Sequence, residues 1–349
     1  MKSTRKYNEE NERIKRTYLH YLRSAKGLSE NSVNKASVAI LRLEQALDFK
    51  PFAKLNDDDA LQFKEHIAHS ATGKTGKPMV AASRVNIQTC VRAFMHWLAD
   101  QTGYKSKITH SFAEYFSPSQ KDMRVAKASR LKPAATAEQA AHTFRHMPME
   151  TVFERRNRAF FALMMLTAAR IEAAASLCIG HVDLMAGCVF QDGAEVLTKF
   201  GKTFTTYFMP VDQMYEDCLA AWIEELTKVH LFGPTDPLFP KPDIHLSPTA
   251  GIQNRGLSRQ HYKTNDCLRR VIKDAFKAVG LPPYSPHRFR STAVDLSNGY
   301  VTTAEELKAV SMNLGHSSIK TTVDDYGAIS PQRQGEVMQK LRRKVRGHQ

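Results

Sequence analysis

The 349-residue sequence lacks any apolar run long enough to cross a bilayer. Its longest run, Ala159 to Leu166, is far shorter than the roughly 20 residues that a spanning helix needs. The first basic residues are followed by acids and not by the apolar segment of a signal peptide. We therefore expect a cytosolic protein.

Cysteine is scarce. The five cysteines are odd in number, lie far apart and form no C-x-x-C pair, which argues against a disulfide framework and favours free thiols in a reducing compartment. They are Cys90, Cys178, Cys188, Cys218 and Cys267.

Phosphate-loop and metal-binding patterns are also missing. Two Gly-Lys-Thr triplets occur, but Ala68 and Val196 stand where a nucleoside-triphosphatase loop requires glycine. The acidic run Asp57–Asp59 is better explained as a helix N-terminus, where carboxylates cap free N–H groups, than as a metal site. No Cys/His cluster with zinc spacing is present, so the sequence implies neither a metal nor another cofactor.

Positive charge, in contrast, is abundant. The chain has 50 Lys and Arg against 35 Asp and Glu, a formal net charge of +15, and residues 1–132 account for +11 of it. Such a surface attracts polyanions, of which nucleic acid is the commonest. A solubility surplus would give the same count, and charge alone does not separate the two.

Apolar periodicity predicts a mainly α-helical chain in two parts. Residues 1–110 are expected to form a helical domain, 111–132 a basic linker, and 133–349 a second domain with helices around a small β-hairpin. The hairpin is predicted over Cys188–Lys199 and Thr203–Met209. Residues 103–132 hold candidate DNA-contacting cations, chiefly Lys105, Lys107, Arg124, Lys127 and Arg130.

Four local features of the second domain occur in a fixed order. A charged residue, Arg170, ends an apolar helix, and Thr198–Lys202 lies at the hairpin tip. Ser285 and Pro286 then open a helix with His287 and Arg290 on one face, since residues three apart share a helix side. Last, a capping box at Thr303–Glu306 starts a helix that stops at Leu314–Gly315–His316, with Tyr326 ten residues beyond His316.

In this order, the motifs resemble those of the tyrosine recombinase (phage integrase) family. The resemblance covers roughly residues 133–330 and implies the tyrosine recombinase catalytic fold. More loosely, by size, position and charge, the first domain resembles the family's helical core-binding (SAM-like) domain. Its first helix begins so near residue 1 that no arm-binding module is expected before it, which favours a simple recombinase or a small mobile-element integrase.

The resemblance also implies an activity: a tyrosine attacks duplex DNA, giving a 3′-phosphotyrosine, and a second strand's hydroxyl reverses the step. The bond energy is stored in the covalent link, so neither ATP nor a metal is required. Tyr326 is the implied nucleophile and His287 its base or hydrogen-bonding partner. Arg170 and Arg290 would clamp the non-bridging oxygens, and His316 would bond the scissile phosphate.

The general acid is implied to be a hairpin lysine. Counting forward from the hairpin tip favours Lys199, which we prefer, whereas counting back from Met209–Pro210–Val211 favours Lys202. Two departures from the family pattern flank Arg170: Ala168 replaces a frequent glycine, and Ala173 replaces an acid that usually braces the arginine, with Glu172 beside it.

Assembly is likewise implied by resemblance. Residues 331–346 combine an apolar row with basic neighbours, which predicts a C-terminal helix that is exchanged between protomers of a homo-tetramer on DNA, in the nucleoid of a prokaryotic cell. Two alternative functions stay open. One is DNA relaxation of the type IB topoisomerase kind, and the other is DNA binding without cleavage.

Overall fold

The computed structural model describes residues 7–72, 76–128, 134–247 and 251–316. The chain divides into two compact units, residues 1–130 and 131–349. Each unit has its own hydrophobic core. Within the described ranges, no helix is long and apolar enough to cross a membrane. All five cysteines are described and free.

Helices build the first unit. They are α1 (Glu9–Ser24), α2 (Glu30–Ala46), α3 (Asp57–His69), α4 (Ala81–Ala99), α5 (His110–Glu114) and α6 (Gln120–Lys127), with a short antiparallel pair β1 (Ala71–Thr72) and β2 (Lys77–Pro78) between α3 and α4. The aromatic rings of Tyr18, Phe52, Phe63 and Phe94 are buried between these helices.

The first four helices lie within residues 1–110, where apolar periodicity predicts a helical domain, and side-chain caps by Asn8 and Asn56 mark the starts of α1 and α3. Asn56 and Asp59 form a reciprocal capping box at the N-terminus of α3, so the acidic run has the capping role that was predicted for it. Lys50 also donates to the Asp59 carboxylate, at 2.7 Å.

Residues 111–128, the described part of the predicted basic linker 111–132, group with the first unit. Phe112, Ala113 and Phe116 are buried in its core, and these few apolar positions are enough to dock α5. Two ion pairs then connect α4 to its neighbours: the exposed Arg92–Glu114 pair reaches α5, and the part-buried Arg84–Asp122 pair reaches α6. The many basic residues of this segment led the sequence analysis to treat it as a linker, although its few apolar residues form a buried face.

Helices also dominate the second unit. They are α7 (Ala137–Arg145), α8 (Val152–Thr167), α9 (Ile171–Ala175), α10 (Met214–Glu224), α11 (Asp266–Ala278), α12 (Pro286–Asn298) and α13 (Ala304–Asn313). The central α8 is buried along its whole second half, from Ala159 to Thr167, with α7, α10, α11 and α12 packed around it. This arrangement explains why the sequence of α8 contains an unbroken apolar run.

Strands form two small antiparallel sheets in this unit. The first has the order β3-β4-β5, with β3 (Val182–Asp183), β4 (Cys188–Gln191) and β5 (Phe204–Tyr207). Its β4–β5 pair confirms the predicted hairpin, although the strands are shorter than predicted and residues 192–203 form a long connecting loop. The second sheet, β6 (Pro242–Ser247) with β7 (Gly251–Leu257), was not predicted from the sequence.

Candidate active site

The α12 helix carries two of the predicted site residues on its first turns. Pro286 occupies the start of the helix, where the absence of an N–H group costs nothing. His287 is exposed, whereas Arg290 is only 4% exposed. The α12 helix therefore places Arg290 in the interior of the unit and His287 on its surface.

A tight turn after α13 lies against Arg290. The guanidinium donates from Nη2 to the carbonyl oxygen of Leu314 at 3.1 Å, and the same nitrogen lies 3.5 Å from His316 Nε2. Gly315 has φ +68°, the left-handed conformation that glycine tolerates best. A side chain there would also collide with the ring of Phe204, since a Cβ would lie 2.6 Å from its Cζ.

Arg170 reaches the same region from the junction of α8 and α9. Ala168 ends α8 with φ +46° and ψ +30°, at the position where the sequence departs from a family glycine. The left-handed conformation costs an L-residue roughly 1–2 kcal/mol. The buried α8 and α9 on either side fix this sharp corner, which lets Arg170 start α9 half-exposed.

The acid beside Arg170 has a partner from another helix. Glu172 accepts a hydrogen bond from Arg269 of α11 at 2.8 Å. The neighbouring Ala173 is buried and lines the narrow part of the site. Glu172 therefore links α9 to α11 through an exposed ion pair.

The two candidate lysines lie in the loop that joins β4 to β5. Lys199 begins a short 3₁₀ turn and is exposed, while Lys202 follows the turn and is half-buried. Thr198 Oγ1 donates to the Lys202 carbonyl at 2.7 Å, and Gly193 packs so closely on Gly201 that any side chain at residue 193 would clash with the backbone. The loop is thus closed on itself.

These groups line two adjoining depressions in the second unit. The narrow one brings Arg170 and Arg290 together with both Lys199 and Lys202. The wider one, a cleft of about 450 Å³, is lined by Arg170, Arg290, His287 and His316. The structure therefore brings together five of the six predicted catalytic residues, and the alternative lysine with them.

Two cations at the wider cleft were missed by the sequence reasoning. Arg269 and Lys273 lie one turn apart on α11, and both line the cleft. Among the described residues of this lining, Glu172 is the one acid, and it is paired with Arg269. A cleft of this charge suits a phosphate, because guanidinium groups form charge-assisted hydrogen bonds to its oxygens. The i, i+4 spacing on α11 was the available signal.

Some predicted residues lie outside the described ranges. Tyr326, Arg130 and the segment 331–346 are among them. Of the other predicted DNA-contacting residues, Lys105, Lys107, Arg124 and Lys127 are all exposed on the first unit. Among the described residues, no group of three or more His, Cys, Asp or Glu side chains is arranged to hold a metal ion.

The comparison with protein families decides the classification. The model of the phage integrase family matches residues 136–333, which is more than half of the chain. The chain belongs to the phage integrase family. Members of this family cut and rejoin DNA through a tyrosine, so the resemblance seen in the motif order is confirmed at the level of the family.

A curated relative is similar to part of the chain. The ICEBs1 integrase of Bacillus subtilis (strain 168) is 37% identical over 76 residues, which represent 22% of this chain and 20% of that relative. The match therefore spans about a fifth of the curated relative's length.

Solved structures of distant sequence share the fold. A lambda integrase dimer bound to a COC′ core site superposes with a TM-score of 0.59 at 16% identity, over 90% of this chain and 95% of that one. XerH recombinase in a post-cleavage complex with palindromic difH gives 0.62 at 15% identity, over 93% and 82%. The Tn1549 transposon integrase in complex with transposon right end DNA gives 0.60 at 16%, over 94% and 99%. The predicted tyrosine recombinase fold is thus confirmed.

Proposed function

We propose that the chain is a site-specific tyrosine recombinase that cleaves and rejoins duplex DNA through a 3′-phosphotyrosyl intermediate, acting at the nucleoid of a prokaryotic cell. One observation carries the proposal: Arg170, Arg290, His287 and His316 converge on a single cleft beside the lysine-bearing hairpin loop. Family membership supports it, and so do the DNA-bound states of the solved structures that share the fold.

In this reaction Tyr326 Oη attacks the phosphorus, and the bond from phosphorus to the 5′-oxygen breaks. A phenol has a pKa of about 10, so its proton must be taken up as the bond forms, and His287 at the cleft mouth is the acceptor. Arg170 and Arg290 bind the two non-bridging oxygens and hold the charge that accumulates on them. His316, 3.5 Å from the Arg290 guanidinium, bonds the same phosphate.

A lysine returns a proton to the departing 5′-oxygen. Lys199 is our choice because it is the exposed cation at the start of the hairpin turn, whereas Lys202 is half-buried behind it. The two can be separated with DNA that carries sulfur in place of the 5′-bridging oxygen. A thiolate leaves without help because a thiol has a pKa of about 8.5. The sulfur substrate should therefore bring the cleavage rate of Lys199→Ala back towards that of wild type. For Lys202→Ala, the rate relative to wild type should be the same with sulfur as with oxygen.

The first unit would hold the DNA backbone. Its exposed lysines and arginines can neutralise phosphates, and such contacts position a duplex without reading its sequence. The groove between α2 and α4 adds polar and basic side chains of the kind that contact bases and phosphates, namely Asn31, Asn34, Lys35, Arg42 and Asn86.

Assembly as a tetramer on DNA, with exchange of the C-terminal segment 331–346 between protomers, is part of the proposal. A groove of about 660 Å³ between α7, α8, α10 and α12 supports it, because its walls include the apolar Met165, Val211 and Leu296. Deletion of residues 331–349 should abolish strand exchange between two DNA sites. Intact exchange would contradict the assembly model and leave the cleavage chemistry untouched.

The deciding experiment is capture of a covalent protein–DNA adduct. Labelled duplexes cut from the DNA that flanks the chain's own gene, and a randomised duplex library, are incubated with protein and quenched in detergent. Adducts are mapped, and a nicked duplex is built on the mapped site so that cleavage cannot be reversed. Wild-type protein should form the adduct at one sequence, and Tyr326→Phe should form none.

Each alternative has its own outcome. Adducts at sequences without any shared site, together with relaxation of supercoiled plasmid, would favour a type IB topoisomerase. Tight binding with no adduct on either DNA source would favour a DNA-binding protein without catalysis. Both outcomes would overturn the recombinase assignment.

A further inference from the structure

The last residue of α13, Asn313, makes an unusual set of contacts with the edge of the first sheet. Its side-chain Oδ1 accepts a hydrogen bond from the Tyr207 N–H at 2.6 Å, and its Nδ2 donates to the Tyr207 carbonyl at 2.9 Å. The amide therefore pairs with both backbone groups of one β5 residue, as a neighbouring strand would. Asparagine suits this because it carries a donor and an acceptor side by side.

A second, buried contact lies beside this pairing. Thr206 Oγ1 donates to the main-chain carbonyl of Asn313 at 3.0 Å and accepts from Gln191 Nε2 at 2.7 Å. Thr206 and Gln191 are only 1% and 3% exposed. Breaking one link would leave a buried polar group without its partner, which costs about 1–3 kcal/mol. This series of buried hydrogen bonds therefore holds β4, β5 and the end of α13 in fixed positions.

The three residues that follow Asn313 are all engaged with the cleft. The Leu314 carbonyl accepts from Arg290, Gly315 packs on Phe204 of β5, and His316 lies next to the Arg290 guanidinium. Asn313, Thr206 and Gln191 line the narrow part of the cleft together with both candidate lysines. Asn313 thus stands between the strand that returns from the lysine loop and the turn that holds His316.

We propose that Asn313 is a positioning residue that sets the lysine-bearing hairpin loop against the phosphate-binding turn at His316. Its side-chain amide is held by the backbone of β5, and its effect on catalysis passes through β5. The inference rests on the proposed function, since it concerns the delivery of a proton to the leaving 5′-oxygen. Misplacement of a reacting group by about 1 Å can cost roughly 100-fold in rate.

The test compares two nicked duplexes that carry the mapped site, one with the natural 5′-bridging oxygen and one with sulfur there. Single-turnover cleavage is measured for wild type, Asn313→Ala and Asn313→Asp. Asn313→Ala should cleave the oxygen substrate about 10- to 100-fold more slowly, and sulfur should restore at least ten-fold of that loss, because the thiolate needs no proton. Asn313→Asp keeps the acceptor for the Tyr207 N–H but loses the donor, so its loss should be smaller and equally rescued.

Reference variants fix the scale. Lys199→Ala should be rescued most fully and Arg290→Ala not at all, since arginine acts on the non-bridging oxygens. Met312→Ala is the matched control, because Met312 is the preceding α13 residue and is 61% exposed. It should cleave both substrates like wild type. Thermal melting of each variant shows whether it folds. If Asn313→Ala does not fold, the cleavage rates of Asn313→Asp test the proposal.

The outcomes are separable. Wild-type protein that forms no tyrosyl adduct would refute the proposed function and this inference with it. Wild-type cleavage with Asn313 variants that match it on both substrates, or that lose the same factor on both, would refute the positioning role alone. A loss that sulfur selectively repairs would support it.

Discussion

The two units use positive charge in different ways. In the first unit most of the described basic side chains are exposed, and the net charge of residues 1–132 is +11. Residues 133–349 carry an excess of only +4, yet in the second unit a buried guanidinium, Arg290, lies at the floor of a cleft lined by other cations. Exposed charges are screened by salt, whereas partly buried donors are screened far less. We therefore expect the first unit to supply most of the affinity for DNA and the second unit to carry out the cleavage chemistry.

The sharpest way to break this comparison is Arg290→Ala. Loss of a preorganised donor to a developing charge typically costs about 10²–10³ in rate, so adduct formation should fall by that factor. DNA affinity should change by no more than a few-fold, because one buried cation among many contributes little to binding. Single-turnover cleavage and fluorescence anisotropy measure the two effects.

Arg288→Ala is the control for that variant. Arg288 lies on the same helix, outside the residues that line the cleft. Its cleavage rate should stay near that of wild type. Equal losses for the two arginines would mean that α12 tolerates no substitution and that the cleft assignment lacks support.

Neutralising the exposed cations of the first unit should do the opposite. The variant changes four residues to Gln: Lys105, Lys107, Arg124 and Lys127. The slope of log affinity against log salt concentration should become less steep by about 0.9 for each phosphate contact removed. Affinity at low salt should drop roughly 100-fold. Cleavage at saturating protein should be unchanged. Lys228→Gln, which alters an exposed cation of the second unit paired with Glu224, should leave the slope unaltered.

A smaller effect is expected from Gly315→Ala. Both the positive φ and the contact with Phe204 oppose a side chain there, so the free energy of unfolding should fall by about 1–3 kcal/mol. Gly280 is a matched control, because its φ is +74° but nothing lies within 4 Å of the position that a Cβ would occupy. Gly280→Ala should therefore cost only the backbone term. Urea titrations of both variants check the difference, and equal losses would contradict the role of Phe204.

The smallest effect concerns pH and the first unit. Hydrogen bonds from Arg92, Ser117 and His96 lower the pKa of the Glu114 carboxyl to about 2. A lowered pKa in the folded state means that ionised Glu114 stabilises the fold above its ordinary pKa of about 4.5, and that this contribution is lost as the pH falls towards 2. Wild type should thus lose more stability than Glu114→Gln between pH 5 and pH 2. Ser117→Ala removes one of the hydrogen bonds that lower this pKa, so it should lose less stability between pH 5 and pH 2 than wild type does. Urea titrations at both pH values measure these losses.

Much of the fold could be predicted because local rules set it. The capping boxes at Asn56–Asp59 and Thr303–Glu306 mark helix starts that the structure reproduces, and Gly315 ends α13 with a positive φ as expected. The order of the motifs likewise identified the side chains that converge on the cleft.

The remaining features depend on contacts between distant segments. Lys273 becomes a cleft residue only when α11 packs beside α12, and Asn313 acquires its partners only when β5 arrives from more than a hundred residues earlier. The docking of α5 through Phe112 was hidden because a few buried rings outweigh many exposed charges in packing energy. Neither composition nor spacing reports such pairings.

The amide of Asn313 has one more consequence. The order β3-β4-β5 leaves β5 at a border of its sheet, where open N–H and C=O groups invite another chain to add a strand. Asn313 occupies both such groups of Tyr207, and the next N–H on the same side of the strand, that of Met209, donates to the Leu166 carbonyl within the same chain. Several copies gathered at high local concentration would therefore find this stretch of the border closed to intermolecular β-pairing, which protects them from aggregation.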